Sequence, residues 1–219
     1  RHQARLFPQK RLVTIENPTE YPMDWAIQLV TESERFPEML RMTLRMDPDA
    51  VLLGEIRGVE EAIATLQAAA TGHLVLTTLH VTDPFETFLR LVMLDHVRLA
   101  MDVICNHNQV IGLIAQRIVP LLCSECCVPI ESAAEPLPDY MMRAMRSWGD
   151  LFGVRVRGAG CEHCHGEGIV GQQAVAEVVV TNEALMQDCI NDGVLAARRN
   201  HRARPGSDKP MIAHAMDLV

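Results

Sequence analysis

The sequence predicts an α/β protein with a parallel sheet, followed by a cysteine-bearing excursion and a C-terminal helical region. Three observations carry this. The short runs "AVLLGEI" and "HLVLTTL" are continuously apolar, as suits strands covered on both faces rather than on one. Segments with apolar residues at helical spacing alternate with them, and that alternation implies crossover helices between parallel strands. After Pro120 the composition shifts to cysteine, proline and glycine, which marks a boundary.

In chain order, "RLVTIEN" is a strand ending near Pro18, and "FPEMLRMTLRM" is a helix stopped by "DPD". "AVLLGEI" is the next strand, "VEEAIATLQAAAT" a helix closed by Gly72, and "HLVLTTL" another strand. "DPFETFLRLVML" starts a helix with Asp83 as N-cap and Pro84 at the first helical position. Leu99–Val119 is expected to be a further helix, and "QQAVAEVVVT" a strand returning the chain to the main body. The expected division is 1–120 as the core, 121–172 as the cysteine module and 173–219 as the return strand with C-terminal helices. No internal repeat is visible.

At 219 residues the chain can bury a full core, and 48% hydrophobic with 22% charged residues is ordinary for a folded domain. The net charge of −8 argues against nonspecific binding to nucleic acid, whose affinity comes from Lys and Arg on phosphates. The basic cluster "AARRNHRAR" at Ala196–Arg204 is too short to reverse this and reads as a solvated helix end. No run of about eighteen apolar residues and no signal-peptide layout is present.

Seven cysteines include two CxxC pairs, "CSEC" and "CEHC". An odd count without a secretion signal favours a reducing compartment and metal binding over a disulfide framework. Cys123, Cys126, Cys161 and Cys164 can present four thiolates to one tetrahedral Zn²⁺. The wide gap between Cys126 and Cys161 is accounted for by an inserted helix in the Met-rich "PDYMMRAMRSWGDLF". Spare thiols or a redox pair are the alternatives, with Cys127, His163 and His165 as substitute ligands.

The stretch "AVLLGEIRG" places Glu55 at the tip of a buried strand, where ligands of parallel sheets sit. Glu55 is either a surface residue past the strand or a working carboxylate. "TIENPTEY", "LRMDPDAVLLGEIRG" and "TGHLVLTTLH", in that order, resemble the Asp box, Walker B and His box of the secretion ATPases of type II secretion and type IV pili. The CxxC pairs followed by "GIVGQQAVAEVV" resemble the tetracysteine module of the assembly branch of that family. The match runs from about Arg11 to Glu183.

The resemblance implies a RecA-like P-loop ATPase core working as a homo-hexamer. ATP and Mg²⁺ would be bound between one core and a neighbour's N-terminal domain, with Zn²⁺ structural in the cysteine module. It also implies a cytoplasmic motor, peripheral at the inner-membrane face, with platform and docking proteins as partners and no nucleic acid. The sequence contains no GxxxxGK[ST], whose backbone and lysine cradle phosphates. It also begins without Met. The expectation is therefore a C-terminal piece of a motor, a partial core that carries much of the catalytic wall, with hydrolysis belonging to the full-length protein.

Phosphoryl transfer to water demands positioning and charge stabilisation more than covalent chemistry. By resemblance, Glu55 would hold Mg²⁺ through water or orient the attacking water, and Glu16 would be the general base. Arg57, His73, Thr78 and His80 would contact nucleotide, with Thr77 as a further hydroxyl. Alternatively both acids pair with arginines such as Arg41, Arg45 or Arg57. Asn17 stands where the family has an acid, leaving Glu16 and Glu20 as the acids of that box, and Gly58 stands where Asp is common. A degenerate or regulatory ATPase subunit and a zinc-stabilised interaction module are the other functional classes.

Overall fold

The computed structural model describes residues 9–218, and it divides into two compact units. The stretch "RHQARLFP" that opens the chain lies outside the described residues.

The first unit is formed within Arg1–Leu113 and Val180–His201. Its centre is a four-stranded sheet in the order β2-β1-β3-β4, with β1 Leu12–Glu16, β2 Ala26–Val30, β3 Ala50–Leu53 and β4 Leu74–Thr77. Every pairing is parallel, with Leu12 beside Ala26 and Ala50, and Ala50 beside Leu74. Helix α1 (Phe36–Leu44) connects β2 to β3, and α2 (Val59–Ala70) connects β3 to β4. One face of the sheet packs Ile15, Val51 and Leu53 against Phe36 and Leu40 of α1 and Ala64 and Ala68 of α2. Fully burying each of the larger side chains contributes about 1.5–3 kcal/mol. The start of β1 is tied to the start of β3 by Asp49, whose carboxylate accepts from Lys10 and from the Arg11 backbone N–H, each at 2.7 Å.

Helix α2 begins where Glu61 turns back. Its carboxylate accepts the backbone N–H groups of Gly58 at 2.6 Å and Arg57 at 2.9 Å, satisfying donors that the first helical turn leaves without partners. Helix α3 spans Glu86–Leu94, starting two residues later than the sequence suggests. Asp83 and Pro84 form the preceding turn instead, with the Asp83 carboxylate accepting from Phe85 N–H at 3.0 Å.

Two elements differ from the sequence reading. β2 is a short edge strand that composition did not signal. The expected helix over Leu99–Val119 resolves into a single helical turn, α4 (Met101–Ile104), and a long strand, β5 (Gly112–Leu122). The cause is visible in burial: Leu113 and Ala115 are buried while Ile114 and Gln116 are exposed, a period of two that β-branched residues favour. The first unit is completed by α6 (Glu183–Asn191), whose N-cap Asn182 accepts from Leu185 N–H at 2.9 Å, and by most of α7 (Val194–Ala203).

The second unit, Ile114–Val179 with Arg202–Val219, contains most of the two-stranded sheet of β5 with β8 (Ile169–Val180). It also has a short antiparallel pair, β6 (Val128–Pro129) with β7 (Arg155–Val156). The Met-rich insert forms α5 (Asp139–Arg146), and its Met142 and Met145 pack with Met216 of α8 (Met211–Met216) against Ile130, Leu151 and Val154. Glu177 is buried at 1% exposure and would be costly unpaired; Arg202 holds both of its oxygens at 2.7–2.8 Å.

The cysteine loops are packed backbone to backbone. A Cβ on Gly158 would stand 1.7 Å from the Cys126 carbonyl oxygen, whereas one on Gly171 would meet nothing within 4 Å. Gly158→Ala is therefore expected to destabilise the second unit by about 3 kcal/mol or more, with Gly171→Ala close to neutral. Thermal unfolding of the two variants, read through amide signals of the second unit, checks this. Equal melting of both would contradict the close approach.

Candidate functional site

Because all four strands of the first sheet run the same way, their carboxyl ends meet at one edge, with β1 at its switch point: the chain leaves β1 toward β2 and then crosses to β3 on the other side. A cleft of about 270 Å³ opens there, lined among others by Glu16, Glu20, Glu55, Arg57, Thr78 and His80. These residues come from the ends of β1, β3 and β4 and the loops that follow.

Glu55 is the hub. One carboxylate oxygen accepts from Arg57 Nε at 2.9 Å, and the other lies 3.1 Å from His80 Nε2. Glu55 is 23% exposed, while Arg57 and His80 are 55% and 89% exposed. The acid is thus set into the wall and its two partners reach it from the open side. The pairing with Arg57 realises one of the alternatives left by the sequence, and Glu55 lines the cleft at the same time. Arg41 and Arg45 do not line it. Thr78 fixes the floor, donating its hydroxyl to the Gly54 carbonyl at 2.6 Å, and Ile56 N–H donates to the Thr78 carbonyl at 3.0 Å. Glu16 closes the other side, accepting from Thr14 at 2.6 Å and Gln28 at 3.3 Å.

His73 is placed elsewhere. It precedes β4 and stands five positions before Thr78, the first cleft residue after that strand, or about 16 Å at about 3.3 Å per residue. There its Nδ1 meets the Thr71 hydroxyl at 3.1 Å. Within this chain His73 and His80 thus stand at opposite ends of β4, and of the two His80 lines the cleft, because only the carboxyl ends of parallel strands converge there. Thr77 closes β4 but is not among the cleft residues.

Thr14, Gln28 and Glu61 were missed by sequence reasoning. Thr14 had a signal, since residues two apart on a strand share a face. Gln28 had none, because its strand was not recognised and its place beside Thr14 follows only from register.

In the second unit, Cys123, Cys126, Cys161 and Cys164 bring their Sγ atoms within 4.8 Å of one another. The pairs Cys123–Cys161, Cys126–Cys164 and Cys161–Cys164 are 3.7, 3.8 and 3.8 Å apart. A tetrahedron of thiolates about 2.3 Å from a central ion has edges of about 3.8 Å, so the spacing fits one metal ion. Backbone N–H groups of Cys161 and Gly168 point at the Cys164 sulfur and bring its thiol down to about 6, while burial pushes Cys126 up to about 12. Cys127 stands apart, its sulfur 3.0 Å from Arg155 Nε. Among the described residues no other group of three or more candidate ligands forms, so His163 and His165 are not drawn in.

No helix among the described residues is long and apolar enough to cross a membrane.

The sequence model of the family described as Type II/IV secretion system protein matches residues 3–215. The chain is 34% identical over 182 residues to the type IV pilus assembly ATPase PilB of Thermus thermophilus, covering 81% of this chain and 20% of that protein. It is 32% identical over 206 residues to a putative type II secretion system protein E of Escherichia coli, covering 90% and 39%. The fold is similar to that of the pilus retraction motor PilT with bound ADP, at a TM-score of 0.63 and 21% identity over 95% of this chain and 48% of that one. The chain thus spans only a minor part of the curated relatives it matches. A family match along nearly its whole length, over an α/β sheet whose acids gather with an arginine and a histidine at one edge, means that the chain belongs to the type II/IV secretion system protein family.

Proposed function

We propose that this chain is the C-terminal ATPase-domain portion of a motor that hydrolyses ATP to drive pilus assembly or type II secretion. The observation that carries the proposal is the convergence of Glu16, Glu55, Arg57, Thr78 and His80 on one cleft at the carboxyl edge of a parallel sheet. The names of the relatives support the same reading, since they are ATPases and secretion proteins. In this account the full-length protein works as a cytoplasmic homo-hexamer docked to inner-membrane platform proteins. Hydrolysis belongs to it rather than to these 219 residues alone.

Glu55 accepts from Arg57 on one oxygen and faces the His80 ring nitrogen with the other, so its carboxylate is suited to hold Mg²⁺ through water; bound there, the ion would neutralise phosphate charge. Arg57 and His80 are exposed donors next to that carboxylate, and a phosphate entering the cleft would compete for them. A guanidinium offers two parallel N–H groups to phosphate, and even neutral imidazole offers one donor. Glu16, across the cleft, is the base in this reading. The four cysteines would hold Zn²⁺ as a closed shell without an open position, which makes that site structural.

A regulatory subunit that assembles without turnover is the second reading, favoured by Asn17 in place of an acid and by the complete pairing of Glu55. The two separate in one assay of the full-length protein. Glu55→Gln keeps shape and removes charge, so ATP binding should persist while hydrolysis falls about 10²–10³-fold. Turnover equal to that of the unaltered protein would remove Glu55 from the chemistry, and no turnover in either would favour the regulatory subunit.

For the metal, elemental analysis should find about one zinc per chain. Cys161→Ser should release it and disorder the second unit while leaving the sheet that bears Glu55 folded, because ligand binding and local folding are coupled at such sites. A metal-free protein with an ordered cysteine segment would contradict this.

A further inference from the structure

Glu16 is held by one oxygen only. Thr14 donates its hydroxyl to Glu16 Oε1 at 2.6 Å, and Gln28 donates a side-chain N–H to the same oxygen at 3.3 Å. Among the described residues none donates to Oε2. Register explains the arrangement. Thr14 and Glu16 stand two apart on β1 and share a face, and Thr14 lies directly beside Gln28 across the parallel β1–β2 pair. Gln28 is itself fixed at both ends. Its side-chain oxygen accepts Met23 N–H at 2.7 Å and its amide nitrogen donates to the Tyr21 carbonyl at 2.9 Å. Those two contacts pin the loop that leaves β1 through Asn17, Pro18 and Glu20, all three of which line the cleft. Thr14 is fully buried, so its hydroxyl needs an acceptor, and the Glu16 carboxylate supplies it.

We infer that Thr14 and Gln28 are positioning residues for Glu16: they clamp Oε1 and leave Oε2 as the oxygen that receives the proton. The inference rests on the reading of Glu16 as general base. In the step itself, the attacking water gives one proton to Oε2 while its oxygen forms the new bond to the γ-phosphorus. The bond from that phosphorus to the bridging oxygen breaks, and its electron pair leaves with ADP. Neither a hydroxyl nor an amide N–H competes for the proton, because both act as donors toward the same carboxylate. A base held by both a strand neighbour and a loop-anchored amide cannot swing away from the water. Misplacement of such a group by about 1 Å can cost about 10²-fold in rate.

The test uses the assembled full-length protein. Thr14→Val removes the hydroxyl with little change of shape, Thr14→Ser keeps the hydroxyl, and Gln28→Leu removes the amide. Thr14→Val and Gln28→Leu should each lower kcat about 10- to 100-fold with KM for ATP within about two-fold, and Thr14→Ser should recover turnover. A merely structural role would add to the loss of Glu16. A positioning role would not, so Thr14→Val in a Glu16→Gln background should cost nothing further in single-turnover assays. Normal turnover in both Thr14→Val and Gln28→Leu, or the same factor lost with and without Glu16→Gln, would overturn the inference. If Glu16→Gln alone retains full turnover, the general-base reading fails and the inference falls with it. If Glu16→Gln is inactive while the other two turn over normally, only the inference fails. Gln28→Leu, on the edge strand, carries the comparison should Thr14→Val not fold.

Discussion

Everything at the cleft depends on β1 being paired in parallel on both sides. Glu16, Glu55 and the residues after β4 are far apart in sequence, and the common strand direction delivers all of them to one edge. Reversing any one strand would send its terminal residue to the opposite end, where His73 now stands. The apolar face of Ile15, Val51 and Leu53 against α1 and α2 keeps those strands in register, since a slip by one residue would turn these side chains to the other face. Packing on one face and chemistry at one edge thus have the same cause.

Charge in the cleft is arranged in opposition. Glu55 sits in the wall with Arg57 and His80 outside it, and Glu16 is restrained by neutral donors instead. Two carboxylates in similar positions therefore have different surroundings, one joined to a guanidinium and an imidazole and one held by a hydroxyl and a side-chain amide. The cysteine site in the second unit follows another logic. Its loops approach so closely that glycine is required at Gly158, and backbone N–H groups are aimed at sulfur. Four thiols at metal-ligand spacing follow from that packing.

Much of this was legible in the sequence, for physical reasons that also explain the gaps. β3 could be read because a strand covered on both faces is continuously apolar, and Glu55 because it ends such a run; β4 carries the same kind of run although, at the edge of the sheet, its Leu76 is 43% exposed. The CxxC spacing announced the cysteine cluster, and the wide gap between the two pairs, filled by the Met-rich "PDYMMRAMRSWGDLF", announced α5. β5 was misread because a long apolar stretch hides its period, and only burial of Leu113 and Ala115 against exposure of Ile114 reveals two rather than 3.6. Gln28 could not be found at all, since a polar residue on a short edge strand has meaning only through the register that sets it beside Thr14. His73 and His80 are near in sequence, and the strand between them places them at its opposite ends.

The central claim is that phosphate and metal meet at Glu55. The most direct measurement is a crystal structure of the full-length protein with Mn²⁺ and a non-hydrolysable ATP analogue, using the anomalous signal to place the ion. The account predicts an anomalous peak beside the Glu55 carboxylate, with Arg57 and His80 turned from Glu55 toward the terminal phosphate. An ion and phosphate bound elsewhere, with Glu55 still joined to Arg57 and His80, would contradict it.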